Sequence, residues 1–140
     1  MKDQFVYQSF EDLDVWKRSC QLAVFVYEAV REIRDYALKD QMQRAAVSIA
    51  SNIAEGSTRT PKDFARFLSI ANGSAAELRT QAYIAARIGM LNHDQMTDIA
   101  HECTGISKML FGLIKSIKNK PHRPKKNEKP KEEDKPGAEG

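Results

Sequence analysis

The chain has few of the features that mark secreted, disulfide-stabilised or membrane proteins. It has two cysteines, Cys20 and Cys103, and no C-x-x-C pair, so no disulfide framework is indicated. The longest apolar run, Leu22 to Tyr27, is far shorter than the roughly 20 residues that cross a bilayer. The N-terminal residues lack the basic-then-apolar order of a signal peptide. We expect a cytoplasmic protein with no membrane partner.

Excess charge of one sign is absent from most of the chain. Residues 1–117 carry 14 Lys plus Arg and 14 Asp plus Glu, whereas residues 118–140 carry 8 and 5. The net charge of +3 therefore comes from the C-terminal end, and a chain-wide attraction to nucleic acid is not indicated. Four of the five prolines also lie there, at Pro121, Pro124, Pro130 and Pro136. Without apolar periodicity, residues 119–140 are predicted to be a disordered tail.

Helical periodicity dominates residues 1–118, and no segment has a strand pattern. The predicted helices cover about 11–33, 37–55, 61–88 and 93–118. Ser9, Thr60 followed by Pro61, and Asn92 are the expected starts of three helices, and Gly56 is expected to end the second. Short connections favour antiparallel neighbours. We predict one all-α domain, an antiparallel up-down-up-down four-helix bundle.

The first helix is apolar on two sides. One stripe contains Leu13, Trp16, Cys20, Ala23, Tyr27 and Val30, and the other contains Val15, Leu22, Val26 and Ile33. A helix that is apolar on two sides needs two partners, and a lone four-helix bundle supplies no place for the second side. We infer a self-associating surface, for which a closed ring is one solution.

Polar residues lie on helix faces that should pack between residues 44 and 78. They are Arg44, Ser48, Asn52, Glu55, Gly73, Ser74 and Glu77. Because polar groups on a packed face need partners, we interpret them as a hydrogen-bonded seam between the second and third helices. Arg44 or Asn52 is expected to satisfy Glu77, while Gly73 and Ser74 permit close approach. A catalytic carboxylate pair is the alternative, but no nucleophile and base accompany it.

One further cluster has the helical spacing of a metal site: Asp94, Asp98, His101 and Glu102. The apolar stripe of the same helix leaves these side chains outside the core, which favours a solvated face. Cys20 and Cys103 lie on apolar stripes and are interpreted as small buried residues. We therefore predict no catalytic residue, no metal and no cofactor.

Between Cys103 and Asn127 the chain contains no acidic residue. The basic residues of this stretch are Lys108, Lys115, Lys118, Lys120, Arg123, Lys125 and Lys126. They predict a flexible phosphate-binding arm, and compensation of the helix dipole followed by a solubilising tail is the open alternative. Further candidates along the third helix are Arg59, Arg66, Arg79 and Arg87. These four lack the interleaved aromatic residues of a single-strand platform, so sequence-specific readout is not indicated.

Three motifs resemble the S23, or 23S ribosomal RNA intervening-sequence, family of four-helix-bundle proteins. They are F-x-x-L-x-V-W from Phe10 to Trp16, N-I-A-E-G from Asn52 to Gly56, and G-S-x-x-E-L from Gly73 to Leu78. The resemblance covers roughly residues 10–113. The chain departs from it by lacking a Phe-Pro between the first two helices and by carrying Ala75 where many members have leucine.

The resemblance implies a homopentameric ring and kinship with the accessory proteins of diversity-generating retroelements. Those accessory proteins bind nucleic acid and associate with a reverse transcriptase. We therefore expect a non-catalytic protein that binds DNA, RNA or a hybrid through phosphates, beside a reverse transcriptase or with ribosomal RNA intervening sequences. A protein-interaction scaffold is the alternative, and no small-molecule substrate is expected.

Overall fold

The computed structural model describes residues 9–119, which form four α-helices after a short 3-10 turn. The turn is Phe10–Asp12, α1 spans Asp14–Ala29, α2 spans Tyr36–Ser57, α3 spans Pro61–Arg87 and α4 spans His93–Asn119. No strand occurs in this part of the chain, which confirms the all-α class. None of these helices combines the length and the hydropathy needed to span a bilayer. The predicted tail lies outside the described residues, except for Asn119.

Two of the predicted helix starts are confirmed by their capping hydrogen bonds. Thr60 Oγ1 accepts from the N–H of Asp63 at 3.2 Å, directly ahead of Pro61 at the start of α3. Asn92 Oδ1 accepts from the N–H of Gln95 at 2.8 Å, and Gln95 Oε1 accepts from the N–H of Asn92 at 3.0 Å. This reciprocal pair satisfies backbone donors that the first helical turn leaves free.

The bounds of α1 differ from the prediction at both ends. Ser9 precedes the 3-10 turn and makes no side-chain cap, and the α-helix begins at Asp14 and ends at Ala29. Asp35 Oδ1 accepts from the N–H of Leu38 at 3.1 Å and caps α2. Because this cap requires extended backbone at Asp35, the first helix cannot continue into the second.

Gly56 lies inside α2, so its predicted role as the helix terminator is wrong. A Cβ atom at this position would lie 2.5 Å from Cβ of Phe67 on α3. The glycine therefore permits close packing of α2 on α3, whereas the helix continues to Ser57 and is capped at Thr58. Packing, and not a left-handed backbone, requires glycine here.

One hydrophobic core joins all four helices. Helix α1 lies next to α2 and α4, and α3 lies next to the same two, whereas within residues 9–119 no Cα atoms of α1 and α3, or of α2 and α4, come within 8 Å of each other. The largest fully buried apolar side chains are Leu22, Val26, Val30, Met42, Ile49, Ile53, Leu68, Leu78, Ile99, Ile106 and Leu110. Apolar residues at helical spacing on α2, α3 and α4 thus supply most of the core.

Helix α1 buries mainly one of its two predicted stripes. Val15, Leu22 and Val26 are buried, whereas Tyr27 on the other stripe is exposed. Ser19 is buried in line with the core stripe and donates its Oγ–H to the carbonyl of Val15 at 2.7 Å. Of the other stripe, Leu13, Trp16 and Ala23 are half-buried against the core and Val30 is buried. The second apolar side therefore reaches the outside only at Tyr27 and the nearby Val24, and is smaller than its pattern predicts.

Candidate nucleic-acid interface

The polar seam between α2 and α3 consists of three of the seven predicted residues. Ser48 Oγ and Ser74 Oγ lie 2.9 Å apart across the two helices. Asn52 Nδ2 donates to the carbonyl of Ser48 at 2.8 Å and to its Oγ at 2.9 Å, and not to Glu77. Within the seam each polar side chain has a partner, so the arrangement stabilises the packing of two helices.

The other four predicted seam residues lie on the outer surface, so this part of the prediction is wrong. Arg44 Nε pairs with Asp40 at 2.9 Å and Arg59 Nη2 pairs with Glu55 at 2.7 Å, each within or at the end of α2. Glu77 and Gly73 are exposed, and a Cβ atom at Gly73 would meet no atom within 4 Å. On the outer surface the charged groups of Arg44, Glu55 and Glu77 keep their hydration, which burial in the seam would remove.

The outer side of α3 carries an apolar surface that the core does not use. Ile70, Ile84 and Ile88 are 43%, 47% and 57% exposed, and we call them the α3 isoleucine face. On the same helix Gln81 is only 5% exposed, and its Oε1 has no hydrogen-bond partner among the described residues. Apolar side chains are usually buried and polar ones exposed, and this side of α3 shows the reverse. An exposed apolar surface of this kind is typical of a contact with another protein.

The acidic residues at the start of α4 are engaged in structure or face outward. No group of three His, Cys, Asp or Glu side chains within residues 9–119 is arranged to hold a metal ion. Glu102 accepts from Arg18 Nε at 2.7 Å and so links α4 to α1. This hydrogen bond is the main reason that the pKa of the Glu102 carboxyl lies below its usual range.

Both thiols are held in their protonated form. Burial raises the pKa of Cys103 to about 12, and partial burial also raises the pKa of Cys20. Because the thiolate is the nucleophile and the metal ligand, neither cysteine has the environment of a reactive site.

Two of the four predicted arginines, Arg59 just before α3 and Arg66 within it, lie against one aromatic ring. The guanidinium groups of Arg59 and Arg66 lie 5.3 and 4.9 Å from the centroid of the Phe67 ring. Arg66 also lies 3.9 Å from Asp63. The ring and the neighbouring acids hold both guanidinium groups in place, while the Arg59 and Arg66 side chains remain 45% and 61% exposed.

The other two predicted arginines lie apart from that pair. Arg79 is half-buried and donates from Nη1 to Thr104 Oγ1 at 3.0 Å, so it joins α3 to α4. Arg87 is exposed at the last residue of α3. The structure therefore does not assemble the four arginines into one phosphate-binding surface.

The three predicted lysines of α4 share one exposed side of the helix. Lys108, Lys115 and Lys118 follow a spacing of seven and three residues, which places them on one stripe. All three are exposed, and none forms an ion pair within residues 9–119. Phe111 falls on the same stripe and is 61% exposed. We call these four residues the α4 basic face.

Sequence reasoning missed Phe111, although its spacing contains the signal. The positions 108, 111, 115 and 118 are spaced by three, four and three residues, as on one side of a helix. Phe111 directly follows the buried Leu110 and therefore lies on a different side of α4 from the core. The other predicted basic residues, Lys120, Arg123, Lys125 and Lys126, lie outside the described residues.

Dipole compensation does not account for the whole α4 basic face. The favourable effect of a cation falls off within the last helical turn, and of the three lysines only Lys118 lies there. Lys108 precedes the end of the helix by about three turns. Its exposed position is free to serve contact with an anion outside the chain.

Together these features define a class of protein: an all-α protein of four helices with a structural polar seam and one basic outer face. The chain belongs to the family described as 23S rRNA-intervening sequence protein, which matches residues 11–112, and the predicted family is confirmed. It is similar to the crystal structure of a protein with unknown function from the S23 ribosomal protein family of Bacteroides thetaiotaomicron. That similarity has a TM-score of 0.68 at 27% identity and covers 72% of this chain and 98% of that one. No curated protein matches significantly.

Proposed function

We propose that this chain is a non-catalytic protein that binds nucleic acid through phosphate groups. The α4 basic face carries the proposal: three exposed lysines lie on one stripe, and α4 contains no acidic residue after Glu102. A rigid helix holds Lys108 and Lys115 about 10 Å apart along its axis. Several phosphates of one backbone can therefore be contacted together, with release of their counterions.

Structured RNA is the first ligand to test, because the family description refers to an intervening sequence of 23S rRNA. The resemblance to retroelement accessory proteins adds DNA, hybrid duplexes and a reverse transcriptase as proposed partners. A cytoplasmic location would suit each of these partners.

We infer that the helices run up-down-up-down, because contacts of α2 with α3 and of α3 with α4 pair rising with falling residue numbers, and the short connection between α1 and α2 favours antiparallel neighbours. The pairs that support this are Gly56 with Phe67, Ser48 with Ser74, Arg79 with Thr104, and Asn72 with Ser107. Such an order leaves α1 and α3 at opposite corners of the bundle, in agreement with their lack of mutual contact in residues 9–119.

Two different apolar surfaces support a homopentameric ring. One is the outer side of α1, with exposed Val24 and Tyr27, and the other is the α3 isoleucine face. A contact between unlike surfaces of identical chains is heterologous and can close a ring. Five copies of the α4 basic face would raise the affinity for a long nucleic acid by avidity. The isoleucine face also favours the second candidate, a scaffold that binds another protein.

The proposal is tested by measuring RNA affinity across about 50 to 200 mM salt by fluorescence anisotropy. The full-length variant Lys108→Gln/Lys115→Gln/Lys118→Gln should bind more weakly. In a plot of log affinity against log salt concentration, the magnitude of the slope should fall by roughly two to three, because each lost phosphate contact contributes roughly 0.7 to 0.9 to it. The variant Lys17→Gln/Arg31→Gln/Arg34→Gln removes the same charge from other exposed positions and should change the slope little.

Equal losses in the two triple variants would show attraction to net charge alone and contradict a localised site. Absence of binding to RNA, single-stranded DNA, duplex DNA and hybrid at low salt would overturn the proposal and leave the scaffold. Truncation after Asn119 separates the contribution of residues 120–140, including Lys120, Arg123, Lys125 and Lys126, from that of α4.

A further inference from the structure

The centre of the α4 basic face is an aromatic ring that lies mostly outside the core. Phe111 is 61% exposed, while the adjacent Leu110 is fully buried in the core. The exposed tyrosines of the chain have a hydroxyl group that water can solvate, but a phenylalanine ring has none. Single exposed apolar residues are common, so the exposure of Phe111 indicates a binding role only if the residues around it favour one.

Those surroundings leave the ring accessible between positive charges. Lys108 lies one turn before Phe111 and Lys115 one turn after it, about 4.5 and 6 Å away along the helix axis. Because the Phe111 ring is 61% exposed, a planar ligand can reach it, and the anions on either side of that ligand would meet the two lysines.

We propose that the α4 basic face prefers single-stranded nucleic acid, with one unpaired base stacked on Phe111. Lys108 and Lys115 would hold the phosphates on either side of that base. An aromatic ring interleaved with cations is the arrangement that stacks bases without reading their sequence. In a duplex the flat side of each base is covered by its neighbours, so Phe111 would contribute little. This inference rests on the proposed nucleic-acid function and specifies its ligand.

Two other occupants fit the surface less well. A helix that lies on an anionic membrane needs a broad apolar side, but the stripe contains one large apolar residue among three lysines. A second copy of the same surface would bring like charges together, which opposes association.

The test measures the affinities of Phe111→Leu and Phe111→Trp for three probes: a mixed-sequence single strand, its blunt duplex and an abasic single strand. Stacking contributes roughly 1–3 kcal/mol per base, so Phe111→Leu should weaken single-strand binding about fivefold or more. Affinity for the duplex and the abasic strand should stay unchanged, as should the salt slope, because no charge is altered. Phe111→Trp should retain affinity, and a bound base should quench its fluorescence beyond that of wild type, whose one tryptophan is Trp16.

Several outcomes would overturn the inference. Equal effects of Phe111→Leu on single strand and duplex, or no effect on either, would show that no base stacks there. If Phe111→Leu abolishes binding to phosphatidylserine vesicles, the ring contacts a membrane instead. If Phe111→Leu dissociates the oligomer in light scattering, the ring packs against another copy of the chain. If lysine substitutions weaken binding while Phe111→Leu does not, only this inference fails. If no probe binds wild type, the proposed function fails with it.

Discussion

At the residue scale, burial gives the two cysteines different chemistry. Because the pKa of Cys103 is raised to about 12 and its side chain is buried, its reactive thiolate is scarce at neutral pH. We expect a thiol-reactive disulfide reagent at about pH 8, near the pKa of a free cysteine, to modify Cys20 faster than Cys103. Single-thiol variants Cys20→Ala and Cys103→Ala allow each rate to be followed by absorbance. Denaturant should make the rates alike, and equal rates in the folded protein would contradict the burial of Cys103.

The ion pair between Arg18 and Glu102 predicts a defined pH dependence. The pKa of Glu102 is lowered in the folded state, so the pair stabilises the fold above the unfolded pKa. This stabilisation is lost as the pH falls through the folded pKa. The side chains are 32% and 36% exposed, so we expect Glu102→Gln to lower the free energy of unfolding at neutral pH by only about 0.2–1 kcal/mol.

Urea unfolding at a series of pH values checks this prediction. The difference between wild type and Glu102→Gln should shrink below pH 4.5, the ordinary pKa of the carboxyl. Glu77→Gln is the matched control, since Glu77 is exposed and forms no ion pair within residues 9–119. A difference that persists unchanged in acid would show that the charge of Glu102 is not what stabilises the fold.

At the element scale, the contact between α2 and α3 depends on the missing side chain of Gly56. Gly56→Ala forces its methyl group against the Phe67 Cβ atom, and we expect the free energy of unfolding to fall by about 1–3 kcal/mol, as in other overpacked cores. Gly73→Ala and Gly112→Ala add a methyl group in open space and should raise it by about 0.5–1 kcal/mol, because alanine favours helix. Urea denaturation measures all three, and a neutral Gly56→Ala would exclude the close contact.

Predictions about elements succeeded where local interactions decide the structure. Thr60 and Asn92 start helices because their side chains bond backbone groups three residues away, which depends on neighbouring residues alone. Gly56 was misassigned because glycine both ends helices and permits close packing, and only the position of Phe67 distinguishes these roles. The polar seam was too broad because sequence spacing does not show where the line of contact between two helices ends.

At the scale of the whole molecule, the unused apolar surfaces predict assembly. We expect wild type to be a pentamer in multi-angle light scattering, and Ile84→Glu/Ile88→Glu to shift it toward smaller species, because charges would be buried in the contact. Thr80→Glu adds a charge at another exposed position of α3 and should leave the mass unchanged. A wild-type monomer at every concentration would rule out the ring and the use of the α3 isoleucine face for it.

The candidate binding surface was predictable in part. The absence of acidic residues between Cys103 and Asn127 indicated Lys108, Lys115 and Lys118, and the structure places them on one exposed stripe. The structure also makes Arg79 a poor candidate for nucleic-acid binding, because its side chain donates a hydrogen bond to Thr104 between α3 and α4. Binding by these lysines stays a prediction until the salt dependence is measured.

The sequence by itself determined the four helices, two of their caps and the family, because periodicity and capping act over three to seven residues. Only the tertiary structure decided which stripe of α1 enters the core and that Arg44, Glu55 and Glu77 face outward. It also decided that Gly56 lies in a helix contact and that Phe111 remains outside the core. Each of these outcomes depends on residues far away in the chain, and side chains with equal local spacing differ only in what the fold packs against them.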